Sequence, residues 1–204
     1  MMLSMKRQTA LIVPGFGEGN DNRYRSIASM FRQAGIKPLF VPISWPRTVL
    51  SQNAREFDET YQKYDPASTV VFGFSAGAML AFMSAARRSP AVLILASMPA
   101  WFAEDLATRS AGHKRIVGHR RVSDYATLHF DELAKKVRSK TYLLVAEGEI
   151  KQWPTFLARA ADAHAKIAGS ILVKVPHSGH NIGHEDYLKA VKSIIDGLRP
   201  DAFP

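Results

Sequence analysis

"TVVFGFSAGAML", residues 69–80, passes from a β-branched, apolar run through Gly73-Phe74-Ser75-Ala76-Gly77 into Ala78, Met79 and Leu80. The first part predicts a buried strand and the last an apolar helix, so the pentapeptide between them must be a sharp turn. The residue at the apex of such a turn takes a strained backbone conformation, and its neighbours two positions away on either side come very close together. Only small side chains fit there, which accounts for Gly73 and Gly77. The turn holds the Ser75 hydroxyl clear of the sheet, and the Ala76 N–H at the helix start points toward whatever that hydroxyl attacks. Ser75 could instead be a plain helix N-cap. A cap, however, needs no glycine on both sides.

Outward from this stretch, short β-branched runs recur at 9–13, 38–43, 92–96, 141–145 and 171–175. Segments with helical spacing lie between them. Ile27, Met30, Phe31 and Ala34 share one face of a helix over 24–34 that Gly35 stops. Tyr125, Leu128, Leu133 and Val137 predict a helix over 124–138, and Leu188, Val191, Ile194 and Ile195 one over 185–198. This alternation predicts an α/β fold: a mostly parallel central sheet of about six strands with helices on both faces, in three layers. The runs at 70–72 and 92–96 are apolar throughout, as strands covered on both faces should be.

At 204 residues the chain is read as a single domain, 1–204, with one sizeable core. It has no cysteine, so disulfides and cysteine-based zinc sites are excluded. The start turns charged at Lys6 and Arg7, its apolar run is too short for a signal sequence, and no stretch is long enough for a membrane span. A cytoplasmic location is therefore expected. More than 40 residues separate the strands near 94 and 143, more than one crossover helix needs. The excess, about 97–123, is the candidate for a small lid.

The formal charge is +9, and the window 109–121 supplies five of those charges through Arg109, Lys114, Arg115, Arg120 and Arg121, joined by His113 and His119 and by no acidic residue. A solvated face is the plain reading. Nucleic acid is not an expected partner, because no aromatic stacking pattern or groove-reading motif accompanies the charge.

A nucleophilic serine needs a base, an orienting acid and oxyanion donors. The base is expected at the end of a later strand, where "HSGHNIGHEDYL" offers His180, with His177 and His184 as rivals; His184 sits at a helix start, where its role would be structural. The acid is expected after the preceding strand, in "VAEGEI". Glu149 is preferred and Glu147 is the alternative, since Glu147 still lies at the strand edge. In "LIVPGFGEGN", glycines let the backbone approach a substrate, so an N–H at Phe16 or Gly17 can face the developing charge. No phosphate-loop pattern is matched there.

With PGFG after a strand, GFSAG at an elbow, a late acid and Gly179-His180 in this order, the chain resembles the α/β-hydrolase family of serine hydrolases over nearly its whole length. The resemblance starts at the family's third strand, so the first two strands are absent and the core is compact. It implies Ser75 as nucleophile, His180 as base and the Phe16 and Ala76 backbones as oxyanion donors, with Glu185 echoing an acidic residue often found shortly after the histidine. Pro14 stands where the family very often has His. Ile150 and Lys151 occupy the region where its aspartate is usual.

The expected activity is hydrolysis of a small-molecule acyl ester, or of a thioester, through an acyl-enzyme on Ser75, with no metal or organic cofactor. Trp45, Met98, Trp101 and Phe102 follow the second and fourth strands and are the candidates for an apolar acyl pocket. A basic lid would favour an acid-bearing or phosphorylated substrate through Arg120 and Arg121. Two other readings compete: a non-catalytic protein of the same fold whose basic patch docks an acidic partner, and a metal cluster of His177, His180, His184 and Glu185.

Overall fold

A computed structural model describes residues 8–198; Lys6 and Arg7, on which the reading of the chain start partly rests, lie outside them. One six-stranded, fully parallel sheet is built from β1 (Thr9–Val13), β2 (Lys37–Phe40), β3 (Thr69–Phe74), β4 (Val92–Ala96), β5 (Lys140–Ala146) and β6 (Ile171–Val175), in the order β2-β1-β3-β4-β5-β6. The second strand stops at Phe40, short of the expected Ile43, although the Val41 N–H still donates to the Ile12 carbonyl at 2.9 Å.

Successive strand residues face opposite sides, and each side has its own apolar cluster. Leu11, Val13, Val71, Leu93 and Leu95 pack under α2 (Leu50–Tyr61), α3 (Ala76–Arg87) and parts of the 103–166 region. Ala10, Ile12, Val70, Phe72 and Ile94 pack under α1 (Asn22–Gln33) and α9 (Glu185–Asp196). Right-handed crossovers explain the division. The chain leaves β1 toward one edge and β3 toward the other, so the intervening helices fall on opposite faces. In α3 every residue from Gly77 to Ala86 is buried, because the sheet lies on one side of it and α2 and α6 (Phe130–Ala134) on the other.

The reversal of direction falls between β1 and β3, which pair from Thr9↔Thr69 to Val13↔Gly73. Their carboxyl ends therefore lie side by side, at the crevice where open α/β sheets bind ligands. Between β4 and β5 come a 3-10 turn (Ala103–Thr108), α4 (Ala111–Val117), α5 (His119–Tyr125) and α6. The helix expected over 124–138 is thus two helices with a break. The Thr127 hydroxyl donates to the Asp124 carbonyl at 2.7 Å and closes α5, while the Glu104 carboxylate accepts from the Phe130 N–H at 3.0 Å and opens α6. These polar groups end one helix and start the next where side-chain periodicity alone reads as continuous. α7 (Glu147–Gln152) and α8 (Thr155–Lys166) follow β5. Among the described residues, no helix is long and apolar enough to cross a membrane.

Candidate active site

Ser75 joins β3 to α3 with φ 53° and ψ −124°, a conformation that residues with a Cβ rarely adopt. A Cβ on Gly73 would meet the Gly77 carbonyl oxygen at 2.5 Å and the Ala78 Cα at 2.7 Å. One on Gly77 would lie 2.9 Å from the Pro14 carbonyl carbon. Both glycines are thus required by backbone crossing at the elbow, and Gly77 also lets the loop after β1 rest against the start of α3. The Ser75 N–H donates to the Ala96 carbonyl at 2.9 Å, tying the apex to β4. Its side chain makes no capping bond to α3. Instead the Ser75 Oγ lies 3.0 Å from the His180 Nε2.

His180 sits in the loop between β6 and α9, and its Nδ1 is 2.5 Å from the Glu149 Oε1. Glu149 is fully buried in the first turn of α7, where its other oxygen accepts the Ala146 N–H at 2.9 Å. That bond caps α7 and aims the carboxylate at the imidazole. The helix packs directly on the histidine loop because Gly148 has no side chain: its N–H donates to the Ser178 carbonyl at 2.7 Å, and a Cβ there would meet the same oxygen at 2.7 Å. Exposed Glu147 points elsewhere, accepting the His177 N–H at 3.4 Å. The His180 ring packs among Phe74, Trp153 and Phe156, with centroids 4.9, 6.2 and 5.5 Å away. His184 accepts the Asp186 N–H at 3.3 Å and caps α9. Among the described residues, no three or more His, Cys, Asp or Glu side chains gather as a metal would require, so the histidines and Glu185 form no such cluster.

The loop after β1 is held by side chains that sequence reasoning missed. The Gly15 N–H donates to Glu18 at 3.0 Å and to the Tyr24 hydroxyl at 2.9 Å, and the Tyr24 hydroxyl donates to Glu18. Burial and the neighbouring Glu18 carboxylate raise the Tyr24 pKa, so the phenol stays a donor. Arg23 bonds Glu18 at 2.9 Å and completes the support. The signal is local, since Tyr24 and Arg23 open α1 six and five residues after Glu18. Phe16, 54% exposed, lays its ring 5.3 Å from that of Trp45 and beneath the Arg121 guanidinium at 4.6 Å. Ala76 is the first residue of α3, so its N–H has no intrahelical acceptor.

A cleft of about 220 Å³ opens on His180. Pro99, Trp101, Trp153 and Phe156 supply its apolar wall, and Arg109 and His113 line its polar edge. Of the four expected pocket residues only Trp101 is among these. Met98 instead lines a separate void of about 10 Å³ with Ser97 and Phe156. Phe102 is fully buried and packs edge-on to Phe82 and Phe130, and Trp45 is buried against Phe16. Trp153 and Phe156, at the end of α7 and the start of α8, were missed because their approach to His180 depends on how these helices pack on the loop after β6, which no local pattern encodes.

Arg120 and Arg121, expected to meet an anionic substrate, turn to the loop before α2 and to its first turn instead. Arg120 bonds the Arg47 carbonyl at 2.8 Å and Gln52 at 3.1 Å; Arg121 bonds the Thr48 and Trp45 carbonyls at 3.2 Å each. Asp124 accepts the Ser51 N–H at 3.0 Å on the same seam. The charge in this window is therefore partly structural.

No family model and no curated protein matches the chain. Solved structures do. Est1E from Butyrivibrio proteoclasticus, also seen with ferulic acid bound, is 14% identical with a TM-score of 0.77 over 95% of this chain and 88% of its own. MGS-MChE2, an α/β-hydrolase enzyme from the sediment metagenome of the Mar Chica lagoon in Morocco, is 14% identical with a TM-score of 0.71, covering 94% and 92%. MenH from S. aureus is 17% identical with a TM-score of 0.68, covering 93% and 92%. At such identities the likeness establishes the fold, and the fold of this chain is that of the α/β-hydrolases.

Proposed function

We propose that the chain is a serine hydrolase that cleaves a carboxylic ester, or a thioester, through an acyl-enzyme on Ser75. The observation that supports this most directly is the chain of contacts from buried Glu149 through His180 to the Ser75 hydroxyl on a strained elbow. In this reading the His180 Nε2 takes the hydroxyl proton as Ser75 Oγ bonds to the acyl carbon. The carbonyl oxygen becomes an oxyanion and accepts hydrogen bonds from the Phe16 and Ala76 amides, each contributing about 3 kcal/mol to lowering the barrier. Glu149 holds the Nδ1–H and stabilises the imidazolium. The C–O or C–S bond then breaks as His180 returns its proton to the leaving group. Water, deprotonated by His180, attacks the acyl-enzyme and releases the acid and free Ser75.

A fluorophosphonate probe tests the reading. Stoichiometric labelling of the folded protein, abolished in Ser75→Ala, is expected. No labelling of folded protein would instead favour a binding protein built on a hydrolase fold. The 97–123 segment, which contributes Pro99, Trp101, Arg109 and His113 to the cleft, acts in this proposal as a small lid over the site.

A further inference from the structure

We infer that the cleft beside His180 binds the carboxylate of an acid-bearing substrate with a flat apolar body, and that Arg109 is its counter-ion; as a substrate class this rests on the ester-hydrolase reading of Ser75. The Arg109 guanidinium stacks over the Trp101 ring at 4.7 Å on the cleft wall. Its Nε donates to the Ala100 carbonyl at 3.1 Å and its Nη2 to the same oxygen at 2.5 Å. These bonds and the stacking fix the planar group in place, yet its one hydrogen-bond acceptor among the described residues is a neutral carbonyl. Among the described residues no carboxylate lies within ion-pair distance of Arg109; Arg88, Arg120 and Arg121 are likewise held by neutral oxygens, but of these arginines Arg109 is the one on the wall of the cleft beside His180.

Partial burial strips water from this cation and lowers its pKa, and Asp105, already paired with Arg159, opposes that shift only in part. A ligand anion restores what the fold withholds, through charge-assisted bonds to a guanidinium already oriented. His113 lies on the same cleft edge and adds a second donor. The rest of the wall is Pro99, Trp101, Trp153 and Phe156, which suits a flat apolar body rather than a polar one. The size agrees: an apolar cavity of about 150 Å³ takes up benzene, and this cleft has about 220 Å³. Arg120 and Arg121 do not compete, since both rest on the loop before α2 and neither lines this cleft.

The test is a binding titration on Ser75→Ala protein, followed by fluorescence of the wall residues Trp101 and Trp153, with 3-phenylpropanoate and its neutral isostere 3-phenylpropanamide as probes. The acid is expected to bind about tenfold tighter or more than the amide, as charge-assisted bonds imply. That ratio is expected to collapse toward one in Arg109→Gln and to return in part in Arg109→Lys, which keeps the charge without the fork. Equal affinities for acid and amide, or an unchanged ratio in a folded Arg109→Gln, would overturn the inference. Fluorophosphonate labelling of the wild-type chain is read separately. Labelling without acid selectivity removes the anion site alone; selectivity without labelling removes the hydrolase reading and leaves a site for aryl acids.

Discussion

At the scale of the residue, burial separates two glutamates that are nearly alike in sequence. Glu149 has exchanged water for the Ala146 N–H and the His180 imidazole, while Glu147 stays exposed beside the His177 amide. In the proposed mechanism Glu149→Gln leaves imidazole in the wrong tautomer, and a roughly ten-thousand-fold fall in kcat is expected. Glu147→Gln is expected to stay within a few-fold of wild type, since the Glu147 carboxylate does not touch the imidazole. Steady-state rates on a p-nitrophenyl ester decide it, and comparable losses at both positions would remove the assignment. Ser75→Ala in the same assay is expected to lower kcat roughly a million-fold. In the sequence Ser75 was legible because the elbow writes its steric need into adjacent positions. The Glu18, Arg23 and Tyr24 support of the PGFG loop was not, since each of those residues has an ordinary solvent-exposed or core reading.

Elements meet at this site through positions that have no side chain. Gly77 carries the contact between α3 and the loop after β1, and a methyl group there would be driven into Pro14 backbone, which cannot swing aside. Gly77→Ala is therefore expected to cost about 2 kcal/mol by overpacking, measured as a lower urea midpoint, and to depress kcat further by displacing the Phe16 amide. An unaltered midpoint would show that the elbow relaxes. The same logic holds for Gly148 between α7 and the histidine loop. Strand positions were readable from their β-branched runs, and two strands burying both faces left an unbroken apolar pattern. The helix break after Tyr125 was not readable. It depends on Glu104, which reaches the Phe130 N–H from 26 residues away in sequence.

Across the whole molecule, charged side chains help to fasten the 97–123 segment to the rest on two sides. On one, Arg121 grips the loop before α2 through the Trp45 and Thr48 carbonyls, and Asp124, just past the segment, holds the start of α2 at Ser51. On the other, Arg159 of α8, 5% exposed, bonds Asp105 at 2.5 Å and Asp162 at 2.8 Å while lying 4.0 Å from the Phe130 ring centroid. Removing that cation strands Asp105 at the edge of the core, so Arg159→Ala is expected to destabilise the protein by about 3 kcal/mol in chemical denaturation. A change below about 1 kcal/mol would show the pairs to be solvated. The sequence by itself determined the six strands, their parallel alternation with helices, the elbow at Ser75 and the histidine loop, because each depends on side chains within a few residues of one another. Only the tertiary structure decided which glutamate meets His180, which aromatic residues wall the cleft and which arginine lies at its edge. Those are contacts between segments far apart along the chain. They are set by the stacking of α7, α8 and the 97–123 segment over the carboxyl ends of the strands, and local periodicity carries no record of them.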